Sequence, residues 1–330
     1  MKPHILVVGG AGYIGSHMVK CLDRAGFVPI VLDNLSQGKR DAVGTARLIQ
    51  CDLGDASALA VLLQAFPIAA VMHFASFIQV GESVLEPGKY YDNNVGNTVR
   101  LLEAMLRHDV NKFIFSSTAA IFGDPQYVPI DENHPKLPIN PYGRSKWMVE
   151  QILDDFDSAY GMRSVCLRYF NAAGADEQTE LGERHDPETH LIPLVLQAAS
   201  GRREAITVYG RDYATPDGTC LRDYVHVVDL CEAHLLALKR LLEGGASARF
   251  NLGNGNGYSI SQVIAAAQRV TGRPIKTVYG ARRPGDPPSL VADSSQAKSV
   301  LGWAPRFADL DQIIDHAWRW EMKVAGENVR

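Results

Sequence analysis

The sequence predicts an α/β fold in which a doubly wound parallel sheet is followed by a smaller C-terminal α/β domain. Short apolar runs rich in β-branched residues alternate with amphipathic helical stretches through the first half of the chain, an order that places helices on both faces of a parallel sheet. Runs such as ILVV and FIFSS are almost entirely apolar, as expected for strands covered on both faces. A glycine-rich turn joins the first apolar run to the first helical stretch.

Six strands are predicted in the first half, each followed by a helix or a turn. They are HILVV, FVPIVLD, ARLIQCD, AAVMHF, KFIFSST and SVCLRYF. Between them the pattern predicts helices that end near Ala25, run through Ala58 to Phe66, and run from about Lys89 to His108. Another helix is expected to begin at Pro141, because proline is favoured at the first helical position. Gly26 and Gly161 follow helical patterns, where a left-handed cap is expected.

A different pattern begins after Phe170, where a polar, glycine-containing stretch predicts a loop or mobile segment. Beyond it, LIPLVLQAAS, VVDLCEAHLLALKRLLEG and SISQVIAAAQRVTG predict helices, the last capped by Ser259. The segments ITVYG and CLRDYVHV predict strands. We therefore expect a first domain over residues 1–172 and a second over residues 173–330, between which segments can be exchanged.

Composition restricts the class of protein. The formal charge of −4 and the charged share of 21% lack the basic excess that nucleic-acid binding favours, so we expect no nucleic-acid partner. No apolar run approaches the length of a membrane span, and the first residues lead directly into a strand pattern rather than a signal peptide. The five cysteines are widely spread and form no CxxC pair, which predicts free thiols. We expect a cytoplasmic protein.

The glycine turn predicts a dinucleotide site. Gly9, Gly12 and Gly15 have the spacing GxxGxxG between a strand and a helix, which permits close approach of a pyrophosphate to the helix N terminus. Asp33 closes the next strand, 18 residues beyond Gly15, where a carboxylate accepts hydrogen bonds from an adenosine ribose and repels a 2′-phosphate. NAD is therefore favoured over NADP in a Rossmann-type domain, although the cationic pair Lys39-Arg40 follows closely. Asp52 has two equal interpretations, an adenine contact or a helix N-cap.

Tyr142 and Lys146 are the candidate catalytic pair. They stand four residues apart in a predicted helix, so the phenol and the ammonium group share one face. A cation beside a phenol favours the phenolate, and Tyr142 is therefore expected to act as a base below its ordinary pKa. A Ser-Ser-Thr run ends the strand that precedes this helix.

With these features in this order, the chain resembles the extended short-chain dehydrogenase/reductase superfamily, and within it the UDP-glucose 4-epimerases. The resemblance extends over nearly the whole chain, through the segments GGAGYIGSH, LDN, HFA, VGESV, YYDNNV, KFIFSST, PYGRSKWMVEQI, LRYFNAAGA, DGTCLRDYVHV, NLGNG and RRPGD. It implies an NAD-binding first domain, a UDP-sugar-binding second domain, no metal, and a homodimer.

The resemblance also implies roles for individual residues. The catalytic group would be Thr118, Tyr142 and Lys146. Tyr142 and Lys146 would also contact NAD, together with the residues of the glycine turn, Asp33 and Asp52. The other residues of the NAD pocket would be Tyr13, Ile14, Asn34, Leu53, Phe74, Ala75, Asn93, Ser116, Ser117 and Tyr169. The UDP-sugar would be contacted by Asn171, His190, Leu191, Arg222, Arg283 and Asp286.

Departures from the family pattern affect the expected substrate. Thr118 replaces a Ser, Ile78 a Lys and His190 an Asn of some relatives. Leu290 stands where some relatives place a bulky Tyr, so the pocket is expected to be wider. UDP-N-acetylhexosamines or UDP-pentoses are therefore alternatives to UDP-hexoses as the substrate. Thr118 is followed by Ala119 and Ala120, so a dehydratase would lack its general acid. A net NAD-dependent oxidoreductase is also compatible with these residues. A non-catalytic regulator that binds dinucleotide is the other alternative, but the intact Thr118, Tyr142 and Lys146 count against it.

Overall fold

The first half of the chain alternates strands with helices as the sequence predicts. In the computed structural model, which describes residues 2–283 and 286–326, the strands are β1 (His4–Val8), β2 (Val28–Asp33), β3 (Arg47–Gln50), β4 (Ile68–His73), β5 (Lys112–Thr118) and β6 (Arg163–Tyr169). The helices are α1 (Tyr13–Arg24), α2 (Ala56–Ala65), α3 (Val80–Leu85), α4 (Pro87–Tyr90), α5 (Asn97–Arg107) and α6 (Pro141–Tyr160). Pro284 and Gly285 of the RRPGD segment, and residues 327–330 of the second predicted domain, lie outside the described residues.

The second half contributes shorter elements. The strands are β7 (Asn171–Ala173), β8 (Ile206–Tyr209), β9 (Leu221–His226), β10 (Ala248–Leu252), β11 (Gly257–Ser259), β12 (Thr277–Gly280) and β13 (Ser289–Leu290). The helices are α7 (Leu191–Ser200), α8 (Val227–Leu242), α9 (Ile260–Thr271) and α10 (Leu310–Val324). Ser259 caps α9 through a complete capping box with Gln262, as its position in the sequence predicts.

A seven-stranded parallel sheet forms the centre of the fold, in the order β10-β6-β5-β4-β1-β2-β3. The strand order reverses between β1 and β4, so the carboxyl ends of these strands border a crevice where ligands bind in such sheets. One face is covered by α1 and α8, and the other by α2, α5 and α6. The predicted fold class, a Rossmann-type doubly wound sheet with a smaller α/β region, is confirmed.

The seventh strand comes from the second half of the chain. The sequence analysis assigned VVDLCEAHLLALKRLLEG and the residues after it to the C-terminal region, but α8 packs on the central sheet and β10 pairs in parallel with β6. Ten residues of α8 are buried, more than the small second layer would cover. The chain thus returns to the first layer before entering the second again.

The helix predicted from Lys89 to His108 is interrupted by a wider turn. Residues 91–96 are π-helical between α4 and α5, and such turns re-aim side chains at functional sites. Here the turn buries Asn94, whose amide donates to the Ser145 hydroxyl at 3.1 Å and whose carbonyl accepts from the Phe77 amide at 2.9 Å.

The polar stretch after Phe170 is held by the elements around it. It runs without a helix or strand between β7 and α7, and Lys20 of α1 donates to Asp176 at 2.8 Å. The Trp320 indole of α10 donates to the Glu183 carbonyl at 2.9 Å. We call residues 174–190 the strap, because they link α1 to α10. Within residues 2–283 and 286–326, no helix is both long and apolar enough to cross a bilayer.

Candidate active site

The loop between β1 and α1 closely approaches the end of β4. Gly9 has a φ of +80°, and a Cβ on it would lie 2.5 Å from the Ala75 amide nitrogen. A Cβ on Gly15 would lie 2.1 Å from the Gly9 carbonyl oxygen, whereas one on Gly12 would be 3.5 Å from that oxygen. Gly12 precedes α1 as its N-cap. The turn thus presents the N terminus of α1 to the crevice, the arrangement that binds a pyrophosphate.

Tyr13 and Ile14 begin α1 and connect it to the second half of the chain. The Tyr13 hydroxyl donates to the Gly174 carbonyl of the strap at 2.7 Å, and the Ile14 carbonyl lies 3.8 Å from the Cys231 thiol. The Tyr13 contact therefore ties α1 to the strap, whereas the Ile14 contact joins α1 to α8 on the same face of the central sheet. These contacts hold Tyr13 and Ile14 in place. The family resemblance implies that both residues also contact the cofactor.

Asp33 lies where the sequence analysis expects an adenosine contact. Its two carboxylate oxygens accept from the Ala11 amide at 2.9 Å and the Leu35 amide at 2.8 Å, which fixes the carboxylate beside the glycine turn. Asn34 donates to Asp52 at 2.8 Å, so these two form the next part of the same rim.

The N-cap interpretation of Asp52 is wrong. The cap of α2 is Asp55, which accepts from the Ser57 and Ala58 amides. Asp52 instead accepts from the Gly54 amide at 2.8 Å. The sequence analysis noted Arg40 near the adenosine end. Its guanidinium donates a hydrogen bond to the Gln50 side chain.

Phe74, Ala75 and Asn93 surround the end of β4. The Phe74 and Ala75 amides donate to the Val8 carbonyl at 2.7 and 3.1 Å, which holds this segment against the glycine turn. Asn93 donates to Asn94 at 3.0 Å. Leu53 is buried in the cluster against which Ala75 packs.

Thr118, Tyr142 and Lys146 come together at the carboxyl end of β5. Asn140 caps α6 by accepting from the Gly143 amide at 2.8 Å, and Pro141 is the first helical residue as predicted. Tyr142 is hydrogen-bonded to the Thr118 side chain. Lys146 donates to the Ser116 carbonyl and to the Ser76 hydroxyl, both at 2.8 Å.

The electrostatics of this group differ from the expectation. Burial raises the pKa of Tyr142, and the Thr118 hydrogen bond opposes that shift. Burial also lowers the pKa of Lys146 to about 7. The prediction that Lys146 holds Tyr142 below its ordinary pKa is therefore wrong for this arrangement, because the ammonium is bound elsewhere and is itself driven toward the neutral form.

The residues next to Thr118, Tyr142 and Lys146 lie on both faces of β5. Tyr169 at the end of β6 donates to the Ser116 hydroxyl at 3.4 Å, so these two lie together as the family resemblance implies. Ser117 is fully buried and donates to Glu150 at 2.5 Å. Its hydroxyl therefore faces α6 and does not line a cofactor pocket, which corrects the resemblance-based assignment.

The residues expected at the nucleotide sugar lie on β7, β9 and the loop before β13. Asn171 donates to the Asp223 carbonyl at 2.8 Å. Arg222 donates to the Pro287 carbonyl at 2.9 Å and lies 3.4 Å from the Asp286 carboxylate. The Arg283 guanidinium lies 4.0 Å from the Tyr209 ring centroid.

His190 and Leu191 mark the start of α7, and His190 belongs to a charged cluster. Glu183, His185, Glu188 and His190 place their ligand-type atoms within 4.8 Å of one another. Burial alone would raise the pKa of Glu183, but the two imidazoles lower it to about 2, and burial of His185 is outweighed by Glu183 and Glu188, which raise its pKa to about 10. The family resemblance implies a UDP-sugar contact for His190, and the structure in addition pairs His190 and His185 with Glu183.

Sequence reasoning missed three residues that hold the catalytic group. Ser76 accepts from Lys146, Asn94 binds Ser145 on α6, and Glu150 accepts from Ser117. Asn94 and Glu150 are buried polar groups within helices, and a polar residue at an apolar helical position was the signal that could have found them.

Comparison with known proteins agrees with this geometry. Residues 5–253 match the NAD dependent epimerase/dehydratase family. A UDP-glucose 4-epimerase from Rhizobium leguminosarum bv. trifolii is 50% identical over 97% of this chain and 97% of its own length, and one from Halalkalibacterium halodurans is 49% identical over 96% and 95%. The crystal structure of UDP-glucose 4-epimerase from Brucella ovis in complex with NAD superposes with a TM-score of 0.94 at 48% identity, covering 97% of this chain and 98% of that one.

The crevice thus carries a dinucleotide turn, an acidic residue at the end of β2 and a Thr-Tyr-Lys group. Over nearly its full length, the chain is also similar to UDP-glucose 4-epimerases. The chain belongs to the NAD-dependent epimerase/dehydratase family and, within it, to the UDP-glucose 4-epimerases.

Proposed function

We propose that the protein interconverts UDP-galactose and UDP-glucose through a transient 4-keto sugar. The observation that supports this most directly is the grouping of Thr118, Tyr142 and Lys146 beside the glycine turn, with the hydrogen bonds described above. Curated relatives of about the same length, at about half identity, are UDP-glucose 4-epimerases.

NAD is the cofactor that the nucleotide site fits. The backbone at Gly9 comes too close to Ala75 to admit a side chain, and Asp33 is held in place to receive a ribose diol. When bound, NAD would supply reversible hydride transfer at C4 of the sugar. The remaining residues of the proposed pocket are Tyr13, Ile14, Asn34, Asp52, Leu53, Phe74, Asn93, Ser116 and Tyr169.

Tyr142 is the proposed proton carrier. As phenolate it takes the proton of the sugar 4-hydroxyl, and as phenol it returns the proton when the keto group is reduced. The Ala120 amide already donates to Thr118 Oγ1 at 3.1 Å, so the Thr118 hydroxyl hydrogen is available to the Tyr142 oxygen or to the sugar oxygen. In its protonated form, Lys146 supplies positive charge at the carboxyl end of β5, where it would stabilise the negative charge that develops.

The UDP portion would be held from the second half of the chain. Arg222 and Arg283 are suited to a diphosphate because a guanidinium donates in a fork. Arg222 contacts Asp286 in this structure, and a diphosphate would compete for that guanidinium while Asp286 accepts from the uridine ribose. Asn171, His190 and Leu191 complete the proposed sugar-nucleotide contacts.

The first experiment is a redox-neutral epimerisation assay. UDP-galactose is incubated with the purified protein without added reductant, and the sugar nucleotides are separated by chromatography. We expect UDP-glucose to appear at constant total sugar nucleotide, without accumulation of NADH. Formation of an oxidised sugar together with stoichiometric NADH would instead establish a net oxidoreductase, and binding of NAD without any turnover would favour a regulator.

Leu290 is proposed to set the width of the sugar pocket. It packs against the buried cluster that contains Ala119, Ile121 and Phe122, next to the strand end that bears Thr118. We expect the parent protein to epimerise UDP-N-acetylglucosamine, and Leu290→Tyr to reduce this activity about tenfold or more relative to UDP-glucose, because a bulkier side chain fills the space. The matched control is Leu137→Tyr, at a residue with an exposed side chain. An inert parent, or equal losses for both sugars, would contradict the size argument.

We also propose a homodimer with a cytoplasmic location. Val80, Val84 and Leu85 of α3 and Met148 of α6 are 45, 60, 82 and 41% exposed, and α3 packs against α6, so the apolar side chains share one surface. All five cysteines are free thiols, consistent with a reducing compartment. Light scattering should give twice the mass of the chain, and a monomer mass would count against the dimer.

A further inference from the structure

Three consecutive residues of β5 bind three successive turns of α6. Lys146 donates to the Ser116 carbonyl at 2.8 Å, Glu150 accepts from the Ser117 hydroxyl at 2.5 Å, and Tyr142 bonds the Thr118 side chain. Tyr142, Lys146 and Glu150 are spaced by four residues and therefore share one face of the helix. The catalytic pair thus has a third, acidic member that the proposed reaction does not yet use.

Glu150 is held in a closed set of contacts. Its side chain is 0% exposed and that of Arg168 is 1% exposed. Arg168 approaches both carboxylate oxygens, with its closest nitrogen at 2.6 Å from Oε2. Arg249 lies 3.4 Å from the same oxygen. Such a set fixes the position of the carboxylate, because each partner comes from a different element.

We propose that Glu150 is a positioning residue for the epimerisation: from one turn beyond Lys146, it holds α6 in register with β5 and keeps the Lys146 ammonium protonated. The catalytic role of Glu150 rests on the proposed function. Its effect on the charge state of Lys146 does not depend on which sugar reacts.

The need for a nearby carboxylate follows from the burial of Lys146. The residue is 3% exposed, and its ammonium lies 4.8 Å from the centroid of the Phe115 ring. Burial favours the neutral amine and lowers the pKa of Lys146 to about 7, while the Glu150 carboxylate opposes this shift. Without Glu150 the amine would lose its proton at a still lower pH.

Arg168 does not cancel this effect, because strand β5 lies between the strand that bears Arg168 and the segment that Lys146 reaches. Lys146 reaches toward Ser76, which follows β4, whereas Arg168 belongs to β6. The strands β4 and β6 flank β5 on opposite sides. Glu150, on the same helix face as Lys146, is therefore the nearer of the two charges.

Other titratable and charged groups surround the two residues. Those near Glu150 in the described part of the chain are Arg168 and Cys166 on β6, Arg249 on β10, Glu132 and Lys136 in the loop before α6, and Asp154 on α6. Those near Lys146 are Tyr142 and Glu150 on its own helix and His73 at the end of β4. Burial lowers the pKa of His73 to about 3, so the imidazole is neutral when Lys146 titrates.

The test measures the protonation of Lys146 directly. The purified protein with its cofactor is pulse-labelled with isotopic acetic anhydride over a pH series, and the extent of Lys146 acetylation is read by peptide mass spectrometry. We expect Glu150→Gln to move the labelling midpoint down by about one pH unit, as loss of a neighbouring charge predicts. Arg168→Met should move it up, since the positive charge of Arg168 is gone while Arg249 still pairs with the carboxylate. A structural role alone does not predict shifts of opposite sign.

The epimerisation assay supplies the second measurement. The reaction needs charged Lys146. In Glu150→Gln the alkaline limb of the kcat/KM profile should therefore move to lower pH, by the same amount as the labelling midpoint. Glu150→Asp should reverse most of this shift. Asp154→Asn, one turn farther along α6, should leave both unchanged. If Glu150→Gln does not fold, the double variant Glu150→Gln/Arg168→Met removes both charges and should still lower the midpoint, by less.

An unchanged labelling midpoint in folded Glu150→Gln or in the double variant would overturn the inference. A parent protein that shows the expected labelling shifts but forms no epimer would overturn the proposed function and leave the electrostatic coupling standing. The two failures are therefore distinguishable.

Discussion

Replacing Tyr142 with Phe is expected to reduce the rate of epimerisation about 10³-fold, while NAD remains bound. The substitution keeps the ring and removes only the oxygen that bonds Thr118 and is proposed to exchange a proton with the sugar. General acid–base groups contribute roughly 10²–10⁴-fold. The glycine turn and Asp33 do not depend on this oxygen. The measurement is the rate of UDP-glucose formation from UDP-galactose, together with the NAD released on denaturation.

Tyr160→Phe is the matched control, because it makes the same change on the same helix at a side chain that is 61% exposed. Its activity and NAD content should equal those of the parent. If Tyr142→Phe retained activity within tenfold of the parent, Tyr142 would not be the proton carrier. If the variant lost NAD as well, its effect would be on the pocket and the proton-carrier role would be unsupported.

Replacing Gly9 with Ala is expected to remove NAD binding and to lower the free energy of unfolding by about 2–3 kcal/mol. The backbone at Gly9 has a φ of +80°, and the new Cβ would lie 2.5 Å from the Ala75 backbone nitrogen. A non-glycine residue in this conformation costs about 1–3 kcal/mol before any clash, and a backbone atom cannot move aside as a flexible side chain can. Denaturant unfolding measures the stability, and the NAD content of the purified protein measures binding.

Gly12→Ala separates the fold from the ligand. Its Cβ would lie 3.5 Å from the Gly9 carbonyl oxygen, an ordinary contact, and its φ of −78° suits any residue. Stability should therefore fall by no more than about 1 kcal/mol, the cost of an alanine at the N-cap of α1, and a loss of NAD here would report close approach of the pyrophosphate alone. If Gly9→Ala proved as stable as Gly12→Ala, the close contact with Ala75 would not matter to the fold.

Several parts of the site follow from local sequence rules. The spacing of Gly9, Gly12 and Gly15 predicts the turn, because few other residues permit so close an approach of two backbones. Pro141 locates the start of α6, and a four-residue spacing then places Tyr142 and Lys146 on one face. The end of β5 presents Thr118 to them, because the carboxyl ends of parallel strands share one edge.

Errors of the sequence analysis concern contacts between distant segments. Nothing local indicated that β10 pairs with β6, because a short apolar strand pairs with whichever sheet edge the preceding helix brings it to. The interpretation of Asp52 as an N-cap was wrong, because the sequence offers Asp55 as an equally suitable cap. Only the observed start of α2 shows that Asp55 is the cap. The pairing of Ser117 with Glu150 likewise required the packing of α6 on β5.

The sequence by itself determined the fold class, the dinucleotide turn, the acidic end of β2 and the shared helix face of Tyr142 and Lys146, because each depends on backbone conformation or on spacing within one element. Tertiary structure decided the charge states. Burial, which no spacing reveals, raises the pKa of Tyr142 and lowers that of Lys146, and it is packing that gathers Glu183, His185, Glu188 and His190 into one charged cluster. Desolvation and long-range pairing depend on the assembled layers, so they become readable only when the chain is folded.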